Sequence, residues 1–128
     1  MHGHGFVLFV EDSDDLRETF VELITVVLGR RCIGAASYQE VVALGNTVLG
    51  CSAAILDINL GPGQPSGIDV YRWLRRKGFA GRIVFLTGHA STHPLVIEAT
   101  RIGDAEILSK PVDLDQIRLL VEGEGVRR

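Results

Sequence analysis

Apolar residues in this chain fall in short solid blocks, and amphipathic stretches lie between them. Phe6-Val7-Leu8-Phe9-Val10 is an unbroken apolar run, the pattern of a strand buried on both faces of a sheet. Leu16, Phe20, Leu23, Ile24 and Val27 then recur at helical spacing, with Ser13 as N-cap, Asp14 and Asp15 at the positive helix end, and Gly29 as the stop. The same grammar predicts a short second strand near residues 32–36. The Ser37/Glu40 capping box then opens a helix running toward Gly45. A third strand covers residues 52–56 and ends at Asp57. Beyond a Gly/Pro-rich loop, Ser66 caps a helix carrying Val70, Tyr71, Trp73 and Leu74, stopped by Gly78. Residues 82–86 form the fourth strand, and Thr92 begins a helix through Leu95, Val96 and Ala99 to Gly103. Residues 105–108 form the fifth strand, and Asp113 with Gln116 opens the last helix through Ile117, Leu120 and Val121.

Strands alternating with single helices over short loops predict an α/β fold with helices on both faces of a parallel sheet. Right-handed crossovers then favour a flavodoxin-like, doubly wound, five-stranded sheet of order 2-1-3-4-5 with five helices. A length of 128 residues fits one domain, 1–128, with a core over about 6–122 and short flexible termini. Composition agrees: 46% hydrophobic and 23% charged residues describe a globular chain with a real core. The formal charge of -3 argues against general affinity for nucleic acid. No apolar run approaches the roughly 18 residues of a membrane span, and Met1-His2-Gly3-His4-Gly5 lacks the features of a signal peptide. Cys32 and Cys51 sit singly in apolar segments, which reads as two reduced, buried thiols in a cytoplasmic protein.

In open α/β sheets, ligands bind beyond the carboxyl ends of the strands. Glu11 and Asp12 follow the first strand, Asp57 the third, Thr87 the fourth and Lys110-Pro111 the fifth. In the expected order the first and third strands are neighbours, so Glu11, Asp12 and Asp57 converge. Packed carboxylates repel unless a cation neutralises them, and an all-oxygen set with water suits magnesium. Magnesium, the Lys110 ammonium and the Thr87 hydroxyl together suit the oxygens of a phosphoryl group moving in line to a carboxylate, which makes Asp57 the nucleophile. Each residue alone has a plainer reading as a helix-start acid, a turn residue or a surface charge. Their shared position after strands is what carries the signal.

Four segments, Val7-Leu8-Phe9-Val10-Glu11-Asp12, Ile55-Leu56-Asp57-Ile58-Asn59, Val84-Phe85-Leu86-Thr87-Gly88 and Ile107-Leu108-Ser109-Lys110-Pro111, resemble in order and spacing the receiver domain of bacterial two-component response regulators, of the stand-alone chemotaxis-regulator kind. The resemblance implies a phosphoacceptor signalling domain, an enzyme only toward itself through self-catalysed phosphorylation and slow autodephosphorylation. It makes Asp57 the phosphoacceptor, Asp12 a direct magnesium ligand, Glu11 a supporting ligand acting through water, and Asn59 a ligand through its backbone carbonyl. Thr87 and Lys110 would contact the phosphoryl group, and the Lys110–Pro111 bond would be cis. The implied partners are a sensor histidine kinase or histidine phosphotransfer protein and a downstream protein target, with no membrane and no direct nucleic-acid contact.

Two positions depart from that pattern. Ile107 stands where the family usually has a Tyr or Phe whose rotation reports phosphorylation, so the state change is expected to pass through Thr87 and the start of the following helix. The loop Gly61-Pro62-Gly63-Gln64-Pro65-Ser66-Gly67 is about two residues longer than the family's usual link, by motif comparison. His89, two positions after Thr87, is a candidate for tuning dephosphorylation through the attacking water. His2 and His4 read as a mobile tail and His93 as a helix-start residue. The basic run Arg72-Trp73-Leu74-Arg75-Arg76-Lys77 reads as a solvated helix face with arginine stems over Trp73, or as a docking surface. Two rival functions were weighed: a degenerate receiver that only binds proteins, favoured by Ile107, and an aspartyl-phosphate hydrolase of the haloacid dehalogenase type. The second expects another acid two residues after the nucleophile, where this chain has Asn59.

Overall fold

In a computed structural model, which describes residues 5–122, the alternating blocks form five parallel strands: β1 (Phe6–Val10), β2 (Cys32–Ala35), β3 (Cys51–Asp57), β4 (Arg82–Thr87) and β5 (Glu106–Ser109). They lie in the order β2-β1-β3-β4-β5. Five α-helices connect and cover them: α1 (Asp14–Glu22), α2 (Tyr38–Leu44), α3 (Gly67–Lys77), α4 (Pro94–Thr100) and α5 (Leu114–Glu122). Strand parity divides the core. Leu8, Val10, Ala54, Leu56, Ile83 and Phe85 face one side with residues of α2, α3 and α4. Val7, Phe9, Ile55, Val84 and Leu86 face the other, against Ile24 and the α5 residues Ile117, Leu120 and Val121. Because β1, β3 and β4 are covered on both faces, their sequences are continuously apolar rather than alternating. The expectations about His2, His4 and the chain termini fall partly or wholly outside the described residues.

Several boundaries differ from the sequence expectation, each for a local reason. The first helix leaves α geometry after Glu22 and continues as a π-helical turn over Leu23–Val27, where Leu28 N–H donates to Leu23 O at 3.1 Å. The widened turn breaks the 3.6-residue stripe, so Val26 and Val27 turn outward while Ile24 is fully buried; Leu16, in the first turn of α1, is exposed as well. The helix after β4 starts at Pro94 rather than Thr92. Pro94 has no N–H to orphan in the first turn, and His93 is the N-cap, its Nδ1 accepting from Leu95 N–H at 3.1 Å. That helix ends at Thr100, short of Gly103. The second helix tightens at Gly45 into a 3₁₀ segment, Gly45–Gly50. Cys51 is buried and Cys32 only half-buried; both are free thiols. They belong to the cores on opposite faces of the sheet, and burial pushes the Cys32 thiol up to about 12.

Caps fix the helix that follows Asp57 and its loop. Ser66 Oγ accepts from Ile68 N–H at 3.1 Å and Asp69 N–H at 3.4 Å, while Asp69 Oδ2 accepts from Ser66 N–H at 2.8 Å. Ser66→Ala is expected to lower stability by about 1 kcal/mol, the usual cost of losing an N-cap, read as a lower urea midpoint at unchanged slope. At the other edge of the sheet two arginines close the end of α5. Arg30 donates to Val121 O, and Arg82 Nη1 donates to Leu119 O at 3.2 Å and Leu120 O at 3.3 Å.

Candidate functional site

Parallel strands bring their carboxyl ends to one edge, and the polar residues that follow them meet there. β1 and β3 are adjacent, with Val10 opposite Leu56, so Glu11, Asp12 and Asp57 leave the sheet side by side. One carboxylate oxygen from each lies within 4.8 Å of the others. Glu11 is 2% exposed and Asp57 6% exposed, whereas Asp12 faces solvent. The Lys110 ammonium bridges the two buried acids, 3.0 Å from Glu11 Oε1 and 3.1 Å from Asp57 Oδ2. Its backbone is anchored to the neighbouring strand by Lys110 N–H donating to Thr87 O at 2.8 Å, and the following Lys110–Pro111 peptide is cis.

The charges do not balance. Three carboxylates face one ammonium, and the titration of each group reflects this. Burial together with the Glu11 charge pushes the Asp57 carboxyl up to about 7, against the opposing pull of Lys110. Burial opposes ionisation of Glu11 as well, but Ser13 N–H and Lys110 outweigh it and hold that carboxyl below its ordinary range. Asp12 is raised by its partial burial and by Glu11 beside it. Burial works against the Lys110 charge, yet Glu11 and Asp57 hold its pKa above the ordinary lysine value. A divalent cation between the acids would remove the excess negative charge. The donor set, carboxylate oxygens with open solvent on the Asp12 side, fits a hard, water-retaining ion such as magnesium.

Around the acids the cleft, of about 350 Å³, is lined by Asp12, Asp57, Asn59, Gly61, Pro62, Gly88, His89 and Lys110. Thr87 is buried at the end of β4, and its Oγ1 accepts from His89 N–H at 2.9 Å. Asn59 N–H donates to Asp57 Oδ1 at 3.3 Å. The Asn59 side chain spans the mouth of the cleft, its Oδ1 accepting from Gly61 N–H at 2.9 Å and its Nδ2 lying 3.1 Å from His89 Nε2. The His89 ring in turn stacks on His93, centroids 4.2 Å apart. His89 and His93 thus connect the cleft to the first turn of α4. Ile107, in β5 opposite Phe85, is half-buried against the core.

Three contributors escaped the sequence reading. Ser13, legible as an N-cap, also donates its N–H to Glu11 Oε2 at 3.1 Å. Arg17 Nη1 donates to Glu11 O at 2.9 Å, which fixes the turn after β1. Gly67 allows α3 to start directly against β3: its N–H donates to Ile58 O at 2.8 Å, and a Cβ there would lie 2.2 Å from Asp57 O. The basic run places Lys77, not an arginine, over Trp73, Nζ to centroid 6.0 Å.

A doubly wound sheet with acids after β1 and β3 and a lysine after β5 defines a phosphoacceptor signalling class, and family comparison agrees with the geometry. Residues 7–122 match the response regulator receiver domain, and the chain belongs to that family. It is 36% identical over 125 residues to the photosynthetic apparatus regulatory protein RegA of Cereibacter sphaeroides, and 33% identical over 124 residues to RegA of Rhodovulum sulfidophilum. These alignments take in 94% and 93% of this chain but 64% of each relative, so the chain spans under two thirds of the length of those regulators. Among solved structures, a response regulator receiver protein from Pseudomonas putida superposes with a TM-score of 0.79 at 25% identity, covering 96% of this chain and 99% of that one. A CheY-like receiver domain from Methylobacillus flagellatus gives a TM-score of 0.73 at 25% identity, covering 94% and 98%. The chain is therefore a receiver domain of two-component phosphorelay signalling. Among the described residues no helix is long and apolar enough to cross a membrane.

Proposed function

We propose that Asp57 accepts a phosphoryl group from a phosphohistidine on a sensor kinase or phosphotransfer protein, and that the domain then changes its affinity for a downstream protein in the cytoplasm. The observation that carries this reading is the Lys110 ammonium shared between Glu11 and Asp57 beside an exposed Asp12. It leaves one buried carboxylate oxygen-rich, charge-stressed and open to solvent through the cleft. Magnesium held by Asp12, Asp57 and the Asn59 carbonyl, with Glu11 in support, would supply positive charge to the transferring oxygens. Lys110 offsets a further part of the negative charge on those oxygens and keeps Asp57 oriented. Thr87 sits at the end of the adjacent strand with its hydroxyl facing the β4–α4 turn, placed to engage a phosphoryl oxygen.

With Ile107 at the usual aromatic position, the change of state passes through Thr87, His89 and the His93 cap into α4. A phosphoryl mimic is expected to shift backbone amides from Thr87 to Leu95 in NMR spectra; unchanged positions there would remove this route. Incubation with acetyl phosphate followed by intact mass tests the main reading. A labile phosphoryl adduct that forms with magnesium and not with chelator supports it. No adduct on a folded chain that also fails to bind magnesium points instead to a degenerate, protein-binding receiver.

A further inference from the structure

The basic segment of α3 takes no part in the acidic cleft, and its four cations have different duties. Arg75 is structural: Nη1 donates to Phe79 O and Gly81 O, both at 2.9 Å, and Nε meets Asp104 Oδ2 at 3.1 Å. Arg72 pairs with Glu98 on α4 at 2.8 Å. Arg76 and Lys77 are exposed and pair with no carboxylate among the described residues. Their place in the last helical turn suits the macrodipole, but that does not account for what lies beside them. Trp73 is half-buried on the adjoining strip of the helix. Next to it a groove of about 330 Å³ runs between the start of α2 and the outer face of α3, walled by Tyr38, Pro65, Asp69, Arg72 and Arg76. Pro65 comes from the extended loop, so both features the acidic cleft left unexplained meet in one place.

We infer that this groove docks an acidic, partly apolar segment of a partner protein. Arg76 and Lys77, the second lying over the Trp73 ring, have no carboxylate partner among the described residues and make a local positive site on a chain of formal charge -3 that favours carboxylates. Tyr38 and the arginines that wall the groove are residue types that dominate binding energy at protein interfaces, where a flat ring covers apolar surface at low entropic cost. A nucleic-acid strand is disfavoured, because two cations without carboxylate partners, flanked by Asp69 and Glu98, neutralise too few phosphates. The inference stands whether or not Asp57 takes a phosphoryl group.

The test is an NMR titration of the ¹⁵N-labelled full chain with a synthetic peptide of about twelve residues alternating glutamate pairs with leucine. Its glutamine counterpart and a thymidine oligonucleotide of equal length run beside it. Amide shifts confined to Tyr38, Ser66 and α3 are expected, with affinity falling roughly tenfold in Arg76→Glu/Lys77→Glu and on raising the salt. These side chains are exposed, so the variant should fold; Arg76→Gln/Lys77→Gln replaces it should circular dichroism show otherwise. The inference is overturned by absent shifts, by equal binding of the glutamine peptide, by unchanged affinity in the charge variant, or by preferential binding of the oligonucleotide.

Discussion

Asp57→Asn protein incubated with magnesium and acetyl phosphate is expected to gain no phosphoryl group, while the parent chain does. An amide nitrogen is not a nucleophile under these conditions, so the loss is complete rather than graded. Glu11 is not expected to substitute, because it is 2% exposed and, unlike Asp57, does not line the cleft. Intact mass reads the outcome, and an adduct on the variant would place the phosphoacceptor elsewhere.

The same substitution is expected to stabilise the metal-free fold at neutral pH and above. Asp57 is raised to about 7 by burial and by Glu11. In the unfolded chain it returns to an ordinary aspartate carboxyl near 3.8. The folded state therefore holds the extra proton between those values. Its contribution to stability is full at low pH and is lost as pH rises through about 7. Above that point the parent carries a buried charge that Asn does not, a difference on the order of 4 kcal/mol for a shift of this size. Urea denaturation of both proteins from pH 5 to 8.5 separates this component from Glu11, whose lowered pKa acts in the opposite sense at acid pH and is common to both. Magnesium should reverse the order above pH 7, since it binds the ionised form; parallel stability curves with and without metal would contradict the assignment.

Gly67→Ala is expected to be the most damaging single methyl in the chain's phosphoacceptor region. The new Cβ would lie 2.2 Å from Asp57 O and 3.0 Å from Asp57 C, and both atoms are backbone held within the sheet. Neither α3, fixed by the Ser66–Asp69 capping box, nor β3 can yield without breaking the Gly67 N–H to Ile58 O bond. Overpacking of this kind costs about 1–3 kcal/mol or more, and here the strain falls on Asp57, the proposed phosphoacceptor. Gly63→Ala is the control. Its φ of 72° disfavours a side chain, but no atom lies within 4 Å of the added carbon, so only about 1 kcal/mol of backbone penalty is expected. A lower urea midpoint and slower phosphorylation in Gly67→Ala, with near-parental behaviour in Gly63→Ala, are the expected results. Equal effects would mean that the loop conformation, not the close approach, is what matters.

Strand order and the meeting of Glu11, Asp12, Asp57 and Lys110 were legible in the sequence because each depends on a short-range signal. Solid apolar blocks mark doubly covered strands, and parallel strands deliver their following residues to one edge. What was not legible depended on geometry without a local sequence signature. Nothing in Leu23-Ile24-Thr25-Val26-Val27 announces a π turn, which has no local sequence signature here. Thr92 looked like a helix start because its hydroxyl can cap, but Pro94 decides the position by fixing φ two residues later. Gly67 read as one more loop glycine, and only the approach of two backbones shows why a hydrogen is required there.

The loop between β3 and α3 contributes Gly61 and Pro62 to the acidic cleft and Pro65 to the groove beside α2. It is also a stiff piece of chain. Two prolines restrict φ, Gly61 and Gly63 are held at positive φ, and Gln64 N–H closes a turn onto Gly61 O at 3.2 Å. A stiff partition transmits a push, whereas a slack one absorbs it. A change in this segment alters a wall of both compartments, and any coupling of their occupancies that it carries acts equally in both directions. Sequence drift in these few positions would consequently retune two affinities together, a form of pleiotropy written into a single connecting segment.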